Sequence, residues 1–372
     1  MDMKSRCHVP QKKVGNSRWL MTVIILFALN VPSPLLAEGQ HDFLFFLSAE
    51  VFENTSVDVS GIESSDFIPT ADFLYSYSGN RMRVLGEYIW SSTENELERL
   101  QVGWQTGQDT MLWLGRFHTP GNYWNTEFHH GQYLQTSISR PGIDEWEDEG
   151  GPLVSHITGA LFESDLTLRE SAGLRVAFGA GLGPVLSGGE LRPFDLLDTS
   201  SVHDRAIGFR LAYLPDIIGE NQVGILGGLA TIPVSPGSTP MVPTLDEIEQ
   251  YHVGPYLDWR WGALRLISAV FYVENDLKLP GATVNDRFTS GYLQAEYQTS
   301  ENWTLFGRHE DSDDAADSVY LSLFPEFIER RNMLGVRWDF AKRHAFSFEV
   351  SETEIQSDNF TQFRLQWSAV LP

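Results

Sequence analysis

Cysteine, lysine and long apolar runs are nearly missing from this 372-residue chain, and each scarcity removes a class of protein. The single cysteine, Cys7, lies ahead of the first apolar run, so the bulk of the chain has no disulfide framework, thiol nucleophile or lipid-modified cysteine. Basic residues number 26 against 50 acids, a formal net charge of -24. A chain this anionic lacks the clustered cations that a phosphate backbone requires, which argues against nucleic-acid partners. Beyond the amino-terminal region no stretch has the ~18 consecutive apolar residues of a transmembrane helix, so any membrane role falls to strands.

What is present begins with a leader. Lys4, Arg6, Lys12, Lys13 and Arg18 precede the apolar run Trp19 to Leu29, and a small-residue site follows at Ala37. This is the pattern of a secretory signal, and its apolar run is too short to cross a bilayer. The sequence predicts a signal peptide over residues 1–37 and one exported domain over residues 38–372. Five basic residues and one acid fall in the leader, leaving 21 basic against 49 acidic side chains and a net charge of -28. Of the remaining cations only Lys278 and Lys342 are lysine.

After residue 40 the chain alternates apolar with polar or small residues, in runs of about ten. Met82, Val84, Gly86, Tyr88 and Trp90 oppose Arg81, Arg83 and Glu87; Leu100, Val102 and Trp104 oppose Arg99, Gln101 and Gln105. Val253, Leu257, Trp259 and Trp261 oppose His252, Asp258 and Arg260, and the same parity returns over Arg331 to Phe340 and Thr361 to Leu371. Such segments are two-faced strands. A soluble sandwich alternates too. Three features select a membrane barrel instead: strands near the bilayer-crossing length, aromatics such as Trp104, Trp261, Trp338 and Trp367 at strand ends, and asymmetric connections. Tight turns near Ser78 to Asn80, Thr106 to Asp109, Arg260 to Ala263, Thr299 to Asn302 and Phe340 to Arg343 alternate with long acidic excursions at 54–66, 119–152, 187–203, 234–247, 276–286 and 311–326. The expected fold is all-β: a transmembrane antiparallel β-barrel of about 16 strands with both ends at the short-turn rim.

Arginine dominates the polar parity, where Arg83, Arg99, Arg116, Arg260, Arg337 and Arg364 form a predicted positive wall, with Arg175, Arg210 and Arg308 in the same row. Planar guanidinium groups suit fixed positions in a water-filled lumen. Glu87, Asp258, Glu296 and Glu349 share that face, so a wall of solvated ion pairs is the plainer reading. The third and longest excursion, about Thr119 to Gly151, carries Asp144, Glu145, Glu147, Asp148 and Glu149. Folded into the lumen, these acids would oppose the arginines across a narrow aqueous gap and set up a transverse field. Pointing outward, the same loop would be bridged to lipopolysaccharide by divalent ions.

Other constellations carry less. His118, His129, His130 and His156 flank or lie in the third loop, but their spacing matches no standard zinc pattern, and ordinary hydrogen bonding is expected of them. Ser155 and His156 would point to opposite faces if both lie in a strand, and His203 with Asp204 sits in a loop, so neither pair predicts an enzyme. No metal or cofactor is expected.

The stretch Gly115-Arg116-Phe117-His118-Thr119-Pro120, with Tyr123-Trp124-Asn125, His129-His130-Gly131 and Ser139-Arg140-Pro141, resembles Gram-negative porins related to the phosphate-selective group. The architectural resemblance covers residues 38–372; the motif-level resemblance covers about 115–152. It implies a passive diffusion channel of the outer membrane, surrounded by lipid and lipopolysaccharide, passing small hydrophilic solutes or ions and assembled as a homotrimer. The alternative is a non-conducting barrel, structural or adhesive, or less plausibly an outer-membrane hydrolase. Two departures stand out. The constriction cations here are arginine where the phosphate-selective group resembles itself in lysine, so phosphate specificity is not carried over. The chain also closes Trp367-Ser368-Ala369-Val370-Leu371-Pro372, without a terminal aromatic.

Overall fold

Alternation along the sequence becomes alternation of outside and inside around a closed cylinder. The computed structural model describes residues 39–55, 64–92, 95–128, 133–147, 150–168, 171–196, 201–236, 245–356 and 358–372. The predicted leader, His129, His130, Asp148 and Glu149 lie outside the described residues.

The strands are β1 (Gln40–Thr55), β2 (Ser65–Ser78), β3 (Met82–Ser91), β4 (Asn95–Gly107), β5 (Thr110–His118), β6 (His156–Thr167) and β7 (Gly173–Leu182). A two-stranded hairpin of β8 (Val185–Ser187) and β9 (Glu190–Arg192) interrupts the series. It resumes with β10 (Arg205–Leu214), β11 (Gln222–Pro233), β12 (Glu247–Trp261), β13 (Leu264–Leu279), β14 (Ala282–Ser300) and β15 (Trp303–Asp313), and ends with β16 (Ile328–Ala341), β17 (His344–Ile355) and β18 (Asp358–Leu371). All but β8 and β9 pair with their neighbours into one closed barrel of sixteen strands. The seam joins β1 to β18 antiparallel, from Phe45 opposite Leu371 to Thr55 opposite Thr361, so no edge is left open.

One predicted loop is corrected. Residues 276–286 are not an excursion: β13 runs to Leu279 and β14 starts at Ala282, joined at Pro280 and Gly281, the latter at φ 82°. The segment reads as loop because Asp276, Lys278, Asn285 and Asp286 flank Pro280 and Gly281, although Leu277 is buried in the interior cluster. It pairs nonetheless, through backbone register and the Lys278 bonds to Glu249 and Asp276 at 2.7 and 3.2 Å. After the third excursion the next strand starts at His156, so Leu153, Val154 and Ser155 still belong to the connection.

The outer face is apolar. Leu114, Leu229, Leu293, Leu305, Leu334 and Leu365 project outward, Leu334 at 68% exposure. Toward the short-turn rim the belt ends in rings: Trp303 stacks on Trp338 at 5.5 Å and 8°, and Phe340, Phe346, His344 and Trp367 continue the contact around the wall. An apolar surface this continuous is not stable in water, and rings at its margin are what an interfacial girdle requires.

The inner face divides in two. Along β1 to β4, β17 and β18 it is polar, with Glu50, Asp72, Glu87, Arg99, Gln101, Glu349, Gln362 and Gln366 buried from solvent. Along β11 to β14 an apolar cluster fills it: Leu226, Ile248, Tyr256, Ile267, Phe271 and Phe288 pack with Tyr123, Trp124, Ile143 and Leu153 from the β5–β6 connection and Tyr320 and Phe324 from the β15–β16 connection, with Gln250, Asp258 and Gln294 buried between them. The interior expected to be water-filled is therefore packed with side chains along one side.

Candidate functional site

The site is built around the chain between β5 and β6. Its neck is narrow, because His118 pairs with His156 and the Thr119 amide donates to the Ser155 carbonyl at 2.8 Å. Gly115 makes the approach possible. Strict alternation would send Arg116 outward with Leu112 and Leu114, but Gly115 takes φ 134° and Arg116 is instead buried and paired with Glu96. A Cβ at position 115 would lie 2.0 Å from the Leu100 carbonyl oxygen, so only glycine fits.

Beyond the neck, a short helix α1 (Tyr123–Glu127) starts where the Asn122 side chain accepts a bond from the Asn125 amide at 3.1 Å, the ordinary job of an asparagine N-cap. Its aromatic residues anchor it to the wall: the Tyr123 hydroxyl donates to Asp258 at 2.6 Å, and Arg210 donates to Glu127 at 2.7 Å. The rest of the connection is held by side chains of β12 and β15 to β17. Glu349 accepts from the Ser139 hydroxyl at 2.5 Å and from the amides of Ile138 and Ser139 at 3.0 and 3.2 Å. Glu310 accepts from the Gly142 amide at 2.7 Å, and Arg331 donates to the Arg140 carbonyl. Gln250 of β12 donates to the Pro152 carbonyl at 3.0 Å.

Arg308 is the densest of these anchors. Its guanidinium donates to Glu310 and Gln294 on the wall and to Ser137, Ser139 and the Arg140 carbonyl on the connection, all between 2.7 and 3.2 Å. One planar fork thus satisfies several acceptors that would otherwise be buried bare.

The six predicted wall arginines separate by position. Arg337 donates to the carbonyls of Tyr133 and Gln135 at 2.8 and 2.7 Å, directly on the connection. Arg364 pairs with Glu50 at 2.5 Å and lies within electrostatic reach of Glu145 and Glu349. Arg99 pairs with Glu87 at 2.5 Å, and Arg116 with Glu96. Arg83 and Arg260 stand apart at the short-turn rim: Arg83 folds back on the Gly79 and Met82 carbonyls, and Arg260 pairs with Glu220 at 3.5 Å. Sequence parity assigns a residue to a face but does not place it along the barrel axis. Arg331 and the connection's own Arg140 were not among the predicted wall residues. Arg140 covers the Trp146 ring at 3.6 Å, a contact no periodicity encodes.

The predicted acids differ as sharply. Glu147 is buried against His156, and Glu145 is the acid near Arg364. Asp144 sits in a 3-10 turn (Gly142–Asp144) and is wholly enclosed. Burial pushes its carboxyl up to about 7, against the pull of the Tyr292 hydroxyl and the Arg140 guanidinium, with Glu310 reinforcing the rise. Between about pH 4 and about pH 7 the folded chain therefore holds a proton that the unfolded chain has lost, and stability falls as pH rises through that window. Asp144→Asn should remove this slope and exceed the wild type above pH 7 by on the order of a few kcal/mol. Urea unfolding of both at pH 5 and pH 8 checks this; parallel losses in the two proteins would contradict it.

The serine–histidine pair needs a correction. β6 begins at His156, so Ser155 precedes the strand and the opposite-face rule does not apply; its hydroxyl is 3.2 Å from His156 Nδ1. Ser155 is fully buried, however, and offers no surface to a substrate. His203 Nδ1 meets the Gly183 carbonyl at 2.9 Å.

This cylinder is shared with solved outer-membrane proteins. The anion-selective porin from Comamonas acidovorans aligns with a TM-score of 0.57 at 12% identity, over 90% of this chain and 100% of that one. The OmpF of Salmonella typhi, solved as a complex with daunomycin, aligns at 0.56 and 12% identity, over 89% and 97%. The outer membrane channel DcaP of Acinetobacter baumannii aligns at 0.56 and 10% identity, over 90% and 98%. At these identities the likeness establishes the fold, and the fold is that of the sixteen-stranded porins. The sequence matches no family model and no curated protein.

Proposed function

We propose that the protein is an outer-membrane porin, a passive diffusion channel for small hydrophilic solutes or ions. The observation that carries this reading is the one-sided anchoring of the β5–β6 connection. It is bonded to β10 to β17 through Arg210, Asp258, Arg308, Glu310 and Glu349, while the wall of β1 to β4 and β18 keeps its own ion pairs, Glu50 with Arg364 and Glu87 with Arg99. Solutes would pass along that polar wall, filtered by size and by the field between Glu145 and Arg364. Arg83 and Arg260 would act at the rim. Arg99, Arg116, Arg337 and Arg364 would form the wall proper, with Asp144, Glu145, Glu147, Asp148 and Glu149 as the acids of the connection.

On this reading residues 1–37 direct export and are removed, and the apolar belt meets outer-membrane lipid, with lipopolysaccharide at the loop rim. The barrel assembles as a homotrimer, as the porin resemblance implies. Passive diffusion needs no cofactor and no catalysis. The test is planar-bilayer recording of the purified barrel, where stepwise openings of reproducible size are expected. Glu145→Gln should move the reversal potential in a salt gradient toward anion preference, because it removes one negative charge from the connection while Arg364 keeps its pairing with Glu50. An unmoved potential removes Glu145 from the filter.

A second reading is favoured by one observation. Tyr123 and Trp124 are packed without exposure, within the same cluster as Tyr256, Phe288, Tyr320 and Phe324. A non-conducting barrel with a structural or adhesive role would have such a packed interior, and folded protein that stays silent in bilayers would support it.

A further inference from the structure

On the polar side of the interior, β4, β5 and β6 bring together Glu98, His118 and His156. One carboxylate oxygen and one ring nitrogen from each imidazole lie within 4.8 Å of one another, and all three residues are buried. His156 Nε2 is 2.9 Å from Glu98 Oε2. Its other ring nitrogen, Nδ1, is 3.2 Å from Glu147 Oε2, and the opposite oxygen of Glu147 is held by the amides of Ser155 and His156 at 2.6 and 3.2 Å. The two imidazoles lie 4.7 Å apart, and Trp146 stacks on His156 and tilts over His118 at 5.6 and 5.4 Å.

We propose that Glu98, His118 and His156 bind one divalent transition-metal ion of the zinc type, with Glu147 as the residue that orients His156. Two imidazoles and a carboxylate are borderline-soft donors suited to such an ion, and three protein donors leave a position for water from the interior. Donor atoms on a tetrahedral ion with ~2 Å bonds sit ~3.3 Å apart, so the present separations of up to 4.8 Å would have to contract on binding. Glu147 behind His156 reproduces the carboxylate–histidine–metal relay, which fixes the ring orientation and raises the basicity of the ligating nitrogen.

The electrostatic surroundings call for a cation. Among the described residues, Glu87, Glu96, Glu98 and Glu147 act on this region, opposed by the guanidiniums of Arg99 and Arg116. The competing occupant is a proton, which would make His156 an imidazolium shared by Glu98 and Glu147. Either way the ligand set is independent of whether the barrel conducts. An ion here would also tie the β5–β6 connection, through Trp146 and Glu147, to the wall of β4.

The experiment uses the full barrel folded in detergent, stripped with chelator and titrated with cobalt(II), then with zinc(II) against a chromophoric chelator. One ion per barrel is expected, with cobalt absorption bands of a low-coordinate site. Glu147→Gln should weaken zinc binding by ~10–100-fold, and His118→Ala should weaken it further. Absence of stoichiometric binding would leave the proton as occupant and overturn the proposal. So would binding that His118→Ala and Glu98→Gln leave unchanged, which would place the ion on rim carboxylates. Should a variant not fold, X-ray absorption of the zinc-loaded wild type decides: scattering from two imidazoles supports the site, and an all-oxygen shell overturns it.

Discussion

Excising residues 122–152 and closing the gap with a short glycine–serine turn should raise single-channel conductance several-fold while leaving the barrel closed. The geometry permits the cut, because the Thr119 amide and Ser155 carbonyl are already hydrogen-bonded at 2.8 Å and His118 is paired with His156. What remains is an ordinary hairpin between β5 and β6. The excision removes Tyr123, Trp124, Ile143 and the backbone acceptors of Arg308 and Arg337, and water takes their place. Arg210, Asp258, Arg331 and Glu349 become solvated wall charges, for which hydration offsets the lost bonds. Far-UV circular dichroism would report the retained sheet, and bilayer recording the conductance. A folded variant with unaltered conductance would show that the connection does not restrict the lumen.

Arg308→Ala should be among the most damaging single substitutions in the chain, destabilising it by ~3–5 kcal/mol, the usual result of removing one partner from a buried ionic network. Glu310 would lose one of its two guanidinium partners and keep Arg331. The oxygens of Ser139, the Arg140 carbonyl and Gln294 would lose their shared donor. Arg308→Lys keeps the charge but not the fork, so it should recover only part of the loss. The control is Arg330, which is more than half exposed and pairs with Asp311 and Glu354 at 2.9 and 3.2 Å. Arg330→Ala should leave the urea midpoint close to that of wild type. Urea titrations of the three variants beside wild type give the comparison, and equal midpoints for Arg308→Ala and Arg330→Ala would refute the anchoring role.

The division between what sequence and structure reveal follows the range of the interactions involved. A strand's parity is local, so the outward placement of Leu100, Val102 and Trp104 and the inward placement of Arg99 and Gln101 were legible from the pattern alone. So was a barrel of about sixteen strands, since most strands are bounded by turn residues or a change of period. Over 276–286 the pattern failed, because Pro280, Gly281 and the flanking polar residues mimic a long loop while β13 and β14 in fact continue to a tight turn there.

Partners in the interior are not local. Ser139 finds Glu349 across 210 positions, and Tyr123 finds Asp258 across 135. Parity puts Glu349 inside, but nothing in the pattern selects it over the other inward acids, such as Glu50, Glu87 and Glu310, without the barrel's register. The acids of the connection look equivalent as a charged run, yet Asp144 is enclosed beside Tyr292, Glu145 is only half-buried and Glu147 holds His156. The metal-ligand geometry is hidden for the same reason: Glu98, His118 and His156 sit on three strands, and only lateral pairing of β4, β5 and β6 makes them neighbours.

By itself, then, the sequence determined a closed sheet with an apolar exterior and an arginine-bearing interior, because period-two alternation with no room for helices has few other solutions. The tertiary structure alone decided which side of that interior is packed, which charges touch the inner connection and which are spent at the rim. Those outcomes depend on shear, strand order and the path of one connection, and these bring together residues that the chain itself holds far apart.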